Sequence, residues 1–303
     1  MEFPVVESQG EKFEPLAAYV REMTQSFGAS AASLIVIQND RIVLEQYEGS
    51  HHHKKGAVTL SEQSLFNIYS VRKTYVCLAM AMAALENNIP FATSVHEIVN
   101  ELEAGELSDL TLGDLAMATG PKYFGKQRIE REGIQGLVVR ALTGKVISEY
   151  LQEKVFNRLG MKGTEWASVP HRNLVCDYTS PDQFALVRLE STNGHERNLY
   201  TSARDLATWG YLHLKKGCID GNRIMPDSLF SLTYELKEKH PSKRILGWYH
   251  QDDGYYASGA AGCHCVVLPE HNAVGIRMLN KYTSDYKDDQ IAFNRLLSQC
   301  LSK

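Results

Sequence analysis

From Thr74 to Leu85 the chain reads Thr-Tyr-Val-Cys-Leu-Ala-Met-Ala-Met-Ala-Ala-Leu, without a charge, a glycine or a proline. Alanine, leucine and methionine are strong helix formers, so the stretch from Ser70 to Asn87 reads as one helix. A helix that is apolar all round has to be enclosed on every side. The run is shorter than the ~18 apolar residues of a membrane span, and it leads into Glu86-Asn87-Asn88. Layers of protein must therefore supply the enclosure. The chain has 303 residues to do so, which at ~150 residues per domain means about two domains, or one core with a large insertion.

The rest of the chain shows where those layers come from. Phe13, Leu16, Ala17, Val20, Met23 and Phe27 recur with a helical period over residues 12 to 27. Two β-rich runs, Ser33 to Gln38 and Arg41 to Tyr47, flank Asn39-Asp40 and predict a hairpin. Leu65 to Tyr69 forms a short apolar approach to Ser70. Thr111-Leu112-Gly113-Asp114 and Ser202-Ala203-Arg204-Asp205 have the spacing of a capping box with Asp in place of Glu. The helices they open are expected to end near Gly120-Pro121 and near Gly217. Between them, Gly133 to Gly160 reads as two helices broken near Thr143-Gly144, and residues 165 to 200 as long loops. Strands return over Tyr255 to Leu268 and, after Pro269-Glu270-His271-Asn272, over Val274 to Leu279, followed by a helix from about Asp288 to Leu301. Strands, then helices, then strands again predict a sheet domain interrupted by a helical insertion.

Charge narrows the partners. Lys and Arg number 32 and Asp and Glu 36, a formal net charge of −4. No basic excess exists to hold a phosphate backbone, so nucleic acid is not an expected partner, and no membrane partner is expected. The six cysteines are too few in so long a chain for a disulfide scaffold. Cys263-His264-Cys265 places two thiols on one face of a strand and the imidazole on the other, with no fourth ligand at a usual spacing, so buried small residues are expected there rather than zinc. His51-His52-His53 stands in a polar stretch and is expected to be solvated. Met1 to Glu7 has neither a basic n-region nor an apolar h-region, which leads us to expect a reducing, cytoplasmic setting.

The chemistry concentrates at Ser70-Val71-Arg72-Lys73. At i and i+3 of a helix the Ser and Lys side chains share a face. Burial in an apolar helix lowers a lysine pKa, and a neutral amine can then take the serine proton. A serine in the first turn also faces free backbone N–H groups at the positive end of the helix dipole. The same spacing recurs at Ser284-Asp285-Tyr286-Lys287, in a polar loop that lacks these supports. No phosphate loop, dinucleotide fingerprint or HExxH motif appears.

Asn67-Ile68-Tyr69-Ser70-Val71-Arg72-Lys73 resembles the first motif of the serine β-lactamase and penicillin-binding-protein superfamily, in particular its class C-like esterases. Four further stretches resemble family segments in family order: Leu110 to Gly120; Leu142-Thr143-Gly144-Lys145 with Val155 to Met161; Leu199 to Leu206; and Tyr256 to Gly262, which resembles the third motif. The resemblance implies an α+β, β-lactamase/transpeptidase-like fold, with an antiparallel sheet flanked by terminal helices (residues 1–69 and 200–303) and a mostly helical inserted domain (70–199). It also implies a hydrolase that cleaves a small ester or amide through an acyl-enzyme. Ser70 would be the nucleophile and Lys73 its base. The backbone N–H groups of Ser70 and Ala260 would form the oxyanion hole, Ser258 and Gly259 would contact substrate, and no metal or cofactor would be needed.

Two departures from the family pattern stand out. Ala257-Ser258-Gly259 begins with Ala where β-lactamases carry Lys, closer to the nylon-oligomer-hydrolase-like branch, so a cation for a substrate carboxylate is missing there. No Tyr-x-Asn exists, and Tyr123 is the nearest candidate for the second-motif hydroxyl, with Tyr178 and Tyr200 as alternatives. Asp177 and His195 are further candidates for the cleft, set against the ordinary solvated state of loop residues. The altered second motif also leaves open a non-catalytic member whose cleft binds a ligand or partner.

Overall fold

The computed structural model describes residues 3–4, 10–100, 109–119, 122–125, 128–178, 186–282 and 286–303. Helix α1 (Gly10–Phe27) buries Phe13, Leu16, Ala17 and Val20. Strands β1 (Ala31–Gln38) and β2 (Arg41–Gly49) form the expected hairpin, with Asn39 (φ 51°) and Asp40 (φ 67°) both left-handed as its two-residue turn requires. After β3 (Phe66–Asn67) and a 3₁₀ turn (Tyr69–Val71) comes α2 (Arg72–Glu86). The helical region continues with α3 (Val95–Ile98) and α4 (Leu112–Met117). A short ribbon, β4 (Tyr123–Phe124) paired with β5 (Ile129–Glu130), precedes α5 (Arg131–Thr143), α6 (Ile147–Leu151) and α7 (Asn157–Leu159). Then follow β6 (Thr164–Trp166), β7 (Leu199–Thr201), α8 (Ala203–Leu214), the small ribbon β8 (Cys218–Ile219) and β9 (Asn222–Arg223), and α9 (Asp227–Lys239). Strands β10 (Tyr249–Gln251), β11 (Gly254–Gly259), β12 (Cys263–Leu268) and β13 (Ala273–Leu279) lead to α10 (Tyr286–Leu301).

The main sheet has six antiparallel strands in the order β10-β11-β12-β13-β1-β2, which places the amino-terminal hairpin beside the carboxyl-terminal strand. Alternation along β1 sorts the core. Leu34 and Val36 pack with Phe13, Leu16, Phe293 and Leu297 of the terminal helices, while Ile35 and Ile37 join the cluster that contains α2. Helix α8 lies across β13, β12 and β1, close enough that a Cβ on Gly210 would meet Val274 Cγ1 at 2.6 Å. Trp209 of α8 stacks on Tyr75 of α2 with centroids 3.7 Å apart, and its Nε1 donates to Thr74 Oγ1 at 2.9 Å. This is the enclosure that an all-apolar α2 requires. Both rings are fully buried, a contribution of ~1.5–3 kcal/mol for each large side chain.

The structure departs from the sequence expectations in several places. The helix read from Ser70 opens with one 3₁₀ turn before its α-helical part. The run 255–268 is two strands joined by a turn in which Gly262 N donates to Gly259 O at 2.9 Å. The stretch read as loops over 165–200 contributes to β6 and β7, and β7 pairs with both β3 and β6 in a separate three-stranded sheet. Helix α9 was not foreseen: it buries only Leu229 and Leu236, too sparse a stripe to stand out. His51 is buried rather than solvated, its Nε2 2.8 Å from Ser64 Oγ. Gly120-Pro121 and Ser284 lie outside the described residues. No helix among the described residues is long and apolar enough to cross a membrane.

Candidate active site

Ser70 sits in the 3₁₀ turn where β3 hands over to α2, at the seam between sheet and helices. The residue before it, Tyr69, is left-handed (φ 47°), an uncommon state for a bulky side chain. Two bonds hold it there: Tyr69 N donates to Asn67 Oδ1 at 3.0 Å, and its hydroxyl donates to Asp177 Oδ2 at 3.1 Å. Strand β11 closes in from the other side, since a Cβ on Gly259 would lie 2.3 Å from Ile68 O. The glycine there is required by this backbone contact. Ser258 and Ala260 flank Gly259, both half-buried, whereas Ala257 is buried.

Lys73 lies one turn on, its side chain 25% exposed, with Nζ 3.7 Å from Glu132 Oε1. Burial lowers its pKa; Glu132 opposes this, and the cations Arg244, Arg72 and Lys122 reinforce it. A cation is thus missing at position 257 but not from the neighbourhood of Lys73. Glu132, near the start of α5, is buried and also 3.7 Å from Arg72 Nη1. Burial disfavours its charge, but Arg72 and Lys73 outweigh that and hold its pKa below the usual carboxylate range. Arg72 is buried too, its Nε donating to Glu196 O at 2.9 Å. Glu132 escaped the sequence reading. The available signal was its place on the stripe of α5 that also buries Gln135 and Val139, where a charge needs a partner.

The structure distributes the remaining candidates unevenly. Tyr123 stands on the β4–β5 ribbon, 44% exposed, and its hydroxyl donates to Glu130 Oε1 at 3.4 Å. Glu130 in turn pairs with Arg197 and lies 4.0 Å from Arg72. Tyr178 and Tyr200 are buried, and their hydroxyls accept from the backbone N–H groups of His53 (2.7 Å) and Arg188 (2.9 Å). Asp177 touches the cleft through Tyr69, and burial pushes its pKa up to about 8. His195 packs against Gly133 and Gly136 of α5. On β12, Cys263 and Cys265 pair across from Gly259 and Ala257, while His264 turns to Asp289. No group of three metal-ligating side chains occurs among the described residues.

A serine and a partly buried lysine open an enclosed helix under the end of an antiparallel strand, in a β-lactamase/transpeptidase-like fold. The family model described as Beta-lactamase matches residues 16–125 and 132–298, and the chain belongs to that family. The match lapses over 126–131, a stretch that includes β5 and the first residue of α5. An uncharacterized protein of Alkalihalophilus pseudofirmus is 27% identical over 96% of this chain and 97% of its own length. Among solved structures, a beta-lactamase from Sulfitobacter sp. EE-36 superposes with a TM-score of 0.77 at 13% identity, covering 98% of this chain and 99% of that one. EstCE1, a hydrolase with promiscuous acyltransferase activity, reaches 0.69 at 11% identity, covering 96% and 97%. At these identities the structural matches speak for the fold, and the family match makes the chain a member of a serine-hydrolase family.

Proposed function

We propose that the protein is a serine hydrolase that cleaves a small ester or amide through an acyl-enzyme on Ser70. The observation that carries this reading is a largely buried lysine one turn beyond a serine held in a 3₁₀ turn; burial lowers the pKa of its amine. Ser70 Oγ attacks the substrate carbonyl and its proton passes to Lys73 in its deprotonated form, a form that burial favours. The backbone N–H groups of Ser70 and Ala260 receive the oxyanion, where one lost donor typically costs ~2.7–4 kcal/mol. The tetrahedral intermediate collapses, the leaving alcohol or amine takes up a proton, and water then releases the acid and regenerates Ser70. In this proposal Tyr123 relays to the leaving group the proton that Lys73 took from Ser70, and in deacylation the proton that Lys73 takes from water returns to Ser70 Oγ. Its ribbon borders the Arg72–Glu130 contact, and the hydroxyl would exchange Glu130 for substrate on binding.

Buried Ala257 leaves β11 without a cation, which favours substrates that carry no carboxylate. Wild-type protein is expected to turn over p-nitrophenyl acetate with a higher kcat/KM than nitrocefin, and Ser70→Ala to abolish both. Faster nitrocefin turnover would reverse the substrate assignment, and activity retained in Ser70→Ala would end the mechanism. The lapse of the family match at 126–131 favours the second reading, a binding protein without turnover; failure of Ser70 to react with a fluorophosphonate would establish it. All six cysteines are free thiols, which supports a reducing, cytoplasmic location.

A further inference from the structure

Tyr69 stands immediately before Ser70 with φ 47°. The left-handed state is unfavourable for any residue that has a Cβ, and it persists only where the surroundings over-determine it. The peptide group between Tyr69 and Ser70 is planar, so the backbone rotations of Tyr69 decide where the Ser70 N–H points. A strained conformation at this position therefore bears directly on one oxyanion donor.

Three contacts hold Tyr69. Its N–H donates to Asn67 Oδ1 at 3.0 Å, its ring lies against that of Tyr282 with centroids 5.9 Å apart, and its hydroxyl donates to Asp177 Oδ2 at 3.1 Å. Asp177 is itself fixed in place. Its N–H donates to Leu186 O at 2.8 Å, and its carbonyl accepts from Leu186 N at 3.0 Å. The next residue, Tyr178, donates its N–H to Asn280 O at 3.0 Å and accepts from Tyr282 N at 2.8 Å. One hydrogen-bonded frame thus carries both Asp177 and Tyr282. The Asp177 side chain is buried in it, with the residue 6% exposed. Burying a carboxyl has a desolvation cost that an apolar residue would avoid.

We infer that Asp177 is a positioning residue for the acylation of Ser70: through the Tyr69 hydroxyl it keeps Tyr69 left-handed and so holds the Ser70 N–H toward the oxyanion. The inference rests on the serine-hydrolase reading proposed above and adds to it a residue that acts through another side chain. Burial pushes the Asp177 pKa up to about 8, against the Tyr69 hydrogen bond and the charge of Arg188. At pH 7 the carboxyl is mostly neutral, and Asn is its close substitute.

Saturation kinetics of Ser70 labelling by a fluorophosphonate at pH 7 test it, because the maximal rate reads the covalent step and half-saturation reads binding. Tyr69→Phe and Asp177→Leu are each expected to lower the maximal rate about tenfold, the factor of one hydrogen bond, with half-saturation little changed. The double variant should be no slower than the slower single one, since both changes break the same bond. Asp177→Asn keeps the acceptor and should lose no more than about twofold. Tyr69→Ala and Tyr69→Gly separate backbone conformation from packing, for both lack the ring. Glycine takes the left-handed region without strain, so Tyr69→Gly should label about fivefold faster than Tyr69→Ala. Equal rates in those two variants would overturn the inference, as would a wild-type rate in Tyr69→Phe. So would losses that multiply in the double variant, or a loss in Asp177→Asn as large as in Asp177→Leu. Each of these leaves the hydrolase reading standing, whereas wild-type protein that is not labelled would overturn both.

Discussion

At the back of the sheet Arg277 meets Asp289 head-on: Nη1 donates to Oδ1 at 2.6 Å, Nη2 bonds to Oδ2, and Nε donates to Gly262 O at 3.2 Å. Tyr19 adds its hydroxyl to Oδ1 at 2.8 Å, and His264 Nε2 lies 3.0 Å from Oδ2. In the cleft Arg72 and Lys73 approach Glu132 no closer than 3.7 Å. Both clusters are buried and both join cation to carboxylate, yet only the first has the bidentate geometry that saturates its donors. A saturated cluster fastens one element to another, here α10 and α1 to β13. A loosely paired one leaves an amine able to change its protonation state, which is what a base next to Ser70 must do.

The comparison breaks first at Lys73. Lys73→Ala is expected to slow labelling of Ser70 by a fluorophosphonate 10²- to 10⁴-fold, as for a lost general base, while Lys287→Ala leaves the rate unchanged. Stopped intact-mass time courses would read both. An unaltered rate in Lys73→Ala would make the cleft cluster as inert as the clamp. The clamp should respond in the opposite way. Arg277→Met strands a buried carboxylate and is expected to cost about 3–5 kcal/mol in denaturant unfolding, with labelling of the folded protein unchanged.

The clamp also predicts a pH dependence. Burial and Arg277 hold the His264 pKa near 4, below the ~6.5 of an unfolded chain. As pH falls from about 6.5 to 4 the unfolded chain binds the proton first, so stability declines across that window. The depressed pKa of Asp289 has the same sign: its contribution is present above about pH 4 and is lost below it. Unfolding midpoints that rise on acidification would contradict both.

Smaller effects sharpen the cleft side. Tyr123→Phe is expected to lower kcat about 10²-fold, the lower end for an acid–base group. Tyr178→Phe and Tyr200→Phe each lose one backbone hydrogen bond, about 1 kcal/mol of stability, and keep kcat. Retained kcat in Tyr123→Phe would leave the proton to Lys73 alone. Glu132→Gln removes the neighbour whose charge raises the Lys73 pKa, so the acidic limb of the labelling rate should move to lower pH. A limb that stays in place would detach Glu132 from Lys73.

Fold and site were legible to different depths. Periodicity exposed α1, the β1–β2 hairpin and the long α2, because each buries a regular stripe or alternation. It missed α9, which buries little, and β6 and β7, whose three-residue strands carry no period. Ser70 and Lys73 could be read because both lie within one turn of one helix. Glu132 could not, because it comes from a distant segment that only the tertiary fold brings near, and Asp177 could be named only as a candidate by residue type. The second motif was least readable, since Tyr123 matches a residue type and not a spacing.

The central claim is that Ser70 is the nucleophile of the loosely paired cluster, and peptide mapping after fluorophosphonate treatment tests it most directly. The account predicts one adduct per chain, on Ser70, absent from Ser70→Ala. An adduct on Ser284 or Ser258, or none on the folded protein, would contradict it.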